Sequence, residues 1–248
     1  MNMFSKFKAG TDGVVQDADR LGGFALKETG VYDATIKLIY FGEYKSGAQF
    51  AEAHFDIDGH MHRERLNIST KTGENTYTDK TTGKPKFLPS FETLNDIAIV
   101  ATGQEFTDLV DQIEEKTVNV YDPDLKKETP TNVSCLIPAM GQTITLAIFR
   151  QFVDKESKDD NGNYAPTGDS REENALDKVF HTETGMTGYE AKSGLEEGLF
   201  IELWKKKNEG KEPRNLVKGK PNSGSAGAPS GSGAAGAPKA KSNMFNKA

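Results

Sequence analysis

Apolar and polar positions alternate through much of the chain, and this period of two predicts strands. Residues 31–41 place Ile36, Leu38 and Tyr40 on one face and Lys37, Ile39 and Phe41 on the other. Residues 42–47 read as a short loop. Residues 48–69 form the clearest hairpin, because Asp58-Gly59 is a strong signal for a two-residue turn. That turn sets a register in which Ile57 faces His60, Phe55 faces His62, His54 faces Arg63, Glu52 faces Arg65 and Phe50 faces Asn67. One face then carries Ala51, Ala53, Phe55, Ile57, His60, His62, Leu66 and Ile68, a core face. The other carries Phe50, Glu52, His54, Met61, Arg63, Arg65 and Asn67, a polar face with one aromatic.

Beyond the hairpin the pattern changes. Residues 70–89 are polar and read as a long loop, of the kind that is usually functional or mobile. Ser90 is placed to cap a helix with Phe91, Leu94, Ile97, Ala98 and Ala101 at helical spacing, stopped by Gly103. Residues 106–115 suggest a second, acidic helix. Strands are expected at 117–121, 132–137 and 142–153, followed by a charged excursion loop over 155–174. Residues 195–207 read as a helix with Leu195, Leu199, Phe200, Leu203 and Trp204 on one side, ended by Gly210. Residues 1–29 are Gly-rich and read as an extended arm. Residues 213–248 are a flexible basic tail, Gly/Ser/Ala/Pro-rich from Pro221 onward, whose composition buries no core and is expected to be disordered.

Charge alters this picture through its distribution. The formal net charge is −6, which by itself argues against a polyanionic ligand. From residue 205 onward, however, ten Lys/Arg face two Asp/Glu, so residues 1–204 carry −14 and the C-terminal part +8. Residues 60–90 carry Arg63, Arg65, Lys71, Lys80, Lys84 and Lys86 against Glu64, Glu74 and Asp79, a local excess of +3 in an acidic body. Tyr77 and Phe87 lie among these cations, and Tyr44 and Lys45 sit in the preceding turn. Cations that track phosphates and aromatics that stack on bases are what single-strand binding requires. A solvated surface with a Glu52–Arg65 pair and a core Phe87 is the bland alternative.

Other chemistry finds less support. His54, His60 and His62 suggest a metal, but the hairpin register sends His54 to the opposite face from the other two. Asp159-Asp160-Asn161-Gly162-Asn163 resembles the start of a calcium loop, yet Tyr164 stands where glycine is needed and Ser170 where glutamate is needed. Phosphate-loop, dinucleotide, nucleophile-elbow and zinc-protease motifs are absent, so neither a catalytic residue nor a cofactor is expected. Cys135, the only cysteine, sits in an apolar stretch and reads as a core residue. No run approaches about eighteen apolar residues, so no membrane span is expected. Asn2-Met3-Phe4-Ser5-Lys6 recurs as Asn243-Met244-Phe245-Asn246-Lys247, which makes Phe4 and Phe245 candidates for docking a partner.

Several stretches, in order along the chain, resemble the phage single-stranded DNA-binding proteins with an OB fold. They are Gly30-Val31-Tyr32-Asp33-Ala34-Thr35-Ile36, Ser46-Gly47-Ala48 and Ala175-Leu176-Asp177-Lys178-Val179-Phe180. Thr184-Gly185-Met186-Thr187-Gly188-Tyr189-Glu190 and the segment from Phe200 to Lys211, containing Leu203-Trp204-Lys205-Lys206-Lys207, complete the set. The resemblance implies a mainly β protein: an OB-type five-stranded Greek-key barrel over residues 30–212, with added helices and the C-terminal tail. It further implies non-catalytic coating of single-stranded DNA during phage replication, repair and recombination in the host cytoplasm. In an OB barrel the strand lies across strands two and three and the adjoining loops. The residues expected there are Tyr44, Lys45, Phe50, His54, Arg63 and Arg65, then Lys71, Tyr77, Lys80, Lys84, Lys86 and Phe87. Phe149, Arg150 and Phe152 on a late strand are weaker candidates.

The chain departs from the class in its tail. Many such proteins end in an acidic tail that recruits replication partners, whereas here Lys239, Lys241 and Lys247 make it basic. It is expected either to add phosphate contacts or to present Phe245 to phage replication or recombination proteins. A metal-dependent nuclease and a protein-interaction module without DNA are the alternatives in other classes.

Overall fold

The computed structural model describes residues 26–122, 125–158 and 164–218. The expectations for most of the N-terminal arm, the 159–163 loop and nearly all of the tail, with Phe4 and Phe245, lie outside the described residues.

The frame is mainly β. Strand β1 (Gly30–Glu43) pairs antiparallel with β2 (Gln49–Ile57), and β2 with β3 (His60–Asn67). The β2–β3 register is the one the Asp58-Gly59 turn predicts, from Ile57 opposite His60 to Phe50 opposite Asn67. Asp58 and Gly59 both have positive φ, 54° and 79°, as such a turn demands. Ala51, Ala53, Phe55, Ile57, Leu66 and Ile68 are buried as expected, but His60 is exposed, because it sits at the turn beyond the core.

In β1 the simple alternation fails. Pairing with β2 runs from Ile36–Phe55 to Leu38–His54, leaving Lys37 as an extra residue in a bulge. The bulge resets the faces, so Ile36 and Ile39 both enter the core, and Leu38 is only half-buried.

Residues 70–89, expected as a loop, contain a small separate hairpin of β4 (Thr76–Thr78) and β5 (Pro85–Phe87). Helix α1 (Pro89–Thr102) follows. Pro89 opens it, and Leu88 rather than Ser90 is the capping position, with no side-chain cap bond. Phe91, Leu94, Ile97 and Ala98 point into the core as the spacing predicts. The expected second helix is only a 3-10 segment, Phe106–Gln112, before β6 (Ile113–Asp122) pairs with β7 (Lys127–Leu136). The acidic residues of 106–115 stay in solvent, while Phe106 and Leu109 are buried.

Strand β8 (Thr143–Lys158) is buried on both faces near its start. Ile144, Leu146 and Ile148 join the main core under α1, whereas Ala147 and Phe149 join Phe180 and Trp204 in a second cluster. The expected excursion loop is instead a long ribbon: β8 continues to Lys158 and returns as β9 (Tyr164–His181). A short helix α2 (Gly188–Lys192) precedes α3 (Phe200–Asn208), which starts later than the apolar spacing predicts. Of its expected apolar side only Trp204 is buried, donating from Nε1 to Asp177 at 2.7 Å, while Leu203 is 62% exposed. Cys135 is buried, as its apolar surroundings predict.

The main sheet runs β9-β8-β1-β2-β3, with β7 joined to the far end of β1. It does not close. Across the gap between its edges, the backbone N–H of Leu176 on β9 donates to the Glu64 carboxylate on β3 at 3.1 Å. Both expected domain boundaries are tied into the sheet. Lys27 exchanges hydrogen bonds with the Asn174 side chain, and β10 (Arg214–Asn215) pairs parallel with β8. Among the described residues, no helix is long and apolar enough to cross a membrane.

Candidate nucleic-acid interface

The outer face of β2–β3 gathers one group of the expected residues. Phe50 lies at its centre. The Tyr44 ring sits 4.8 Å from the Phe50 ring, and the Arg65 guanidinium is stacked over Phe50 at 4.6 Å from the centroid. Tyr44 is fixed by its hydroxyl, which donates to Asn67 Oδ1 at 2.8 Å. Beneath the ring lies Gly42, where a Cβ would stand 2.4 Å from Phe50 Cζ. Gly42 reads as a loop residue in sequence, yet its missing side chain is what lets the Phe50 ring lie flat on the neighbouring strand.

Glu52 organises the cations. Its carboxylate accepts from Arg65 Nε at 2.8 Å and from Arg65 Nη2, and it lies 3.2 Å from His54 Nε2. Burial pushes the Glu52 carboxyl up, but the hydrogen bonds from His54 and Arg65 outweigh it and hold its pKa at about 2. Burial, reinforced by the Glu52 charge, pushes the Tyr40 phenol up to about 12. His54 does not face solvent as expected. It is 9% exposed and edge-on to Tyr40, so it supports Glu52 from behind. Arg63 is exposed and pairs with Glu128 of β7 at 3.0 Å, which brings the β6–β7 ribbon to this face. Lys45 and Lys71 are exposed on adjoining loops, where the Lys71 backbone oxygen lies against Gly47.

A second group sits on the β4–β5 hairpin. Tyr77 is paired with Lys86, and both are exposed. Lys80 and Lys84 are exposed near the hairpin tip. Lys86 forms an ion pair with Asp79, which also accepts from the Thr81 and Thr82 backbone. Phe87 is half exposed, with its ring 5.2 Å from Phe91 of α1.

Two of the three late-strand candidates are engaged elsewhere. Phe149 is buried between Trp204 and Arg214, and Arg150 is held by Glu28 and Glu172. The histidines do not converge: His54 turns to Glu52, while His62 Nε2 lies 3.4 Å from Glu64 without hydrogen-bond geometry. Among the described residues, no three His, Cys, Asp or Glu side chains gather in a way that would hold a metal ion. Residues that the sequence reading missed are Gly42, Tyr40 and Glu128. The role of Gly42 follows from its pairing with Phe50 across β1 and β2, which no local signal in the sequence sets; the others depend on long-range packing. A scan against protein-family models gives no match, and no curated protein matches the chain.

Proposed function

We propose that this protein binds single-stranded DNA with little sequence preference, by base stacking on aromatics and phosphate contacts from Lys and Arg. The observation that carries the reading is the Tyr44–Phe50–Arg65 group on the outer face of β2–β3. Its rings and guanidinium are half-exposed or exposed beside a continuously paired hairpin, with Lys45 and Lys71 exposed on the adjoining loops. A planar base gains about 1–3 kcal/mol from each such stack, whatever its identity. The strand order β9-β8-β1-β2-β3, with its open edges bridged through Glu64, supports an OB-type, partly open five-stranded Greek-key barrel. In that fold strands two and three are the ligand face, and here they are β2 and β3. Protection of exposed strands during phage replication, repair and recombination in the host cytoplasm is the corresponding biological role.

The test uses labelled single- and double-stranded oligonucleotides at two salt concentrations, with and without magnesium. Preferential single-strand binding that weakens with salt, with intact product, is the expected result. Magnesium-dependent cleavage would instead indicate a nuclease, and no binding at low salt would point to a protein-interaction module. Phe50→Ala is expected to weaken single-strand binding about tenfold.

A further inference from the structure

We infer that the cleft between the β4–β5 hairpin and α2 is a second base-binding site, where Tyr189 and Phe87 hold an unpaired nucleobase of the bound strand. This rests on the single-strand reading above and extends it to a surface that strands two and three do not reach. The cleft has a volume of about 490 Å³, within the range of roughly 300–1,000 Å³ that small ligands occupy. Phe87 and Tyr189 both line it, at 50% and 77% exposure.

Tyr189 is held in water by a backbone built to hold it there. Thr187 and Glu190 on either side form a reciprocal capping box: Thr187 Oγ1 accepts from the Glu190 N–H at 3.1 Å, and Glu190 Oε2 accepts from the Thr187 N–H at 3.0 Å. The other Glu190 oxygen accepts from the Leu199 and Phe200 N–H groups at 2.9 and 2.8 Å. Gly188 packs so closely on α1 that a Cβ there would lie 2.4 Å from Asp96 Oδ1. The phenol ring therefore projects from a fixed base with only its own two torsions free, so stacking orders little more than the ring.

The polar lining suits a nucleotide rather than a free anion. Lys178 and Lys192 stand exposed at the cleft, with Lys192 paired to Glu105 at 2.6 Å. Glu92, Asp96 and Glu105 also line it, and they repel a bare phosphate while offering acceptors to base amino groups. Phe87 is the last residue of β5, so the cleft continues directly from the hairpin that carries Tyr77, Lys80, Lys84 and Lys86. Phe87 thus belongs both to that hairpin and to the cleft that Tyr189 lines.

The experiment measures the affinity of Tyr189→Ala, Tyr189→Leu and Tyr189→Phe for a mixed-sequence single-stranded oligonucleotide at several salt concentrations, beside Phe50→Ala. Thermal midpoints are recorded for each. Tyr189→Ala and Tyr189→Leu are expected to bind about tenfold more weakly with an unchanged salt slope, while Tyr189→Phe stays near wild type. Lys178→Gln is expected to reduce the slope by about 0.7, one phosphate contact on a single strand. Wild-type affinity in Tyr189→Ala, with Phe50→Ala impaired, overturns the cleft and leaves the single-strand reading intact. So does a loss in Tyr189→Ala that tracks a lowered thermal midpoint. No binding by the wild-type protein at low salt overturns both.

Discussion

Glu52 decides what the cations on the β2–β3 face are free to do. A carboxylate with 12% side-chain exposure, holding both Arg65 and His54, fixes the guanidinium over Phe50 and neutralises part of its charge. Its pKa of about 2 lies below the ordinary 4.5, so the folded state favours the ionised form. The stabilisation is complete above about pH 4.5 and is lost as the pH falls towards about 2. Glu52→Gln is accordingly expected to cost about 1–2 kcal/mol at neutral pH, after allowance for solvent screening. The gap between variant and wild type should close on acidification, as urea denaturation at a series of pH values would reveal. The same substitution releases Arg65 and is expected to steepen the salt dependence of single-strand binding.

At the scale of elements, one side chain joins two helices. The Glu190 carboxylate satisfies the first N–H of the α2 cap and the two N–H groups that open α3. Burial opposes its charge, but these backbone hydrogen bonds prevail and hold its pKa below the ordinary range. Glu190→Ala strands three backbone donors, and a loss of about 2–4 kcal/mol in stability is expected. Amide exchange at Leu199 and Phe200 should accelerate more than at β1, which locates the damage. Gly42 plays a comparable part between β1 and β2. Gly42→Val forces the Phe50 ring off the strand; weakened single-strand binding comparable to Phe50→Ala is expected, readable by fluorescence anisotropy.

At the scale of the whole molecule, the described residues form a large open sheet around a main core, and the seam between β3 and β9 carries a side-chain hydrogen bond where no backbone ladder pairs them. Glu64 bridges residues 112 apart in sequence. Glu64→Ala removes the acceptor of the Leu176 N–H, and a stability loss of about 1–3 kcal/mol is expected. Faster exchange of the Leu176 amide, with the β1–β2 amides unchanged, would place the effect at the seam; unchanged exchange at Leu176 would show that the edges hold without it.

How much of this was legible beforehand depends on the range over which each feature is decided. Asp58-Gly59 and the alternation around it specified the β2–β3 register to the residue, because turn chemistry and a period of two are local properties. The core side of α1 followed from its spacing, and burial of Cys135 from its apolar neighbours. Other features needed distant partners. The bulge at Lys37 accompanies pairing with β2, residues 155–158 and 164–174 became strands by pairing along β8 and β9, and Arg63 meets a glutamate 65 residues away. His54 and Arg65 look alike as cationic candidates in sequence, yet packing buries one behind Glu52 and lays the other over Phe50. Sequence alone determined which residue types the face would carry and in what register. Only the tertiary structure decided which of them reach solvent and which are already paired, because burial and ion pairing are set by groups that the chain brings together from far apart.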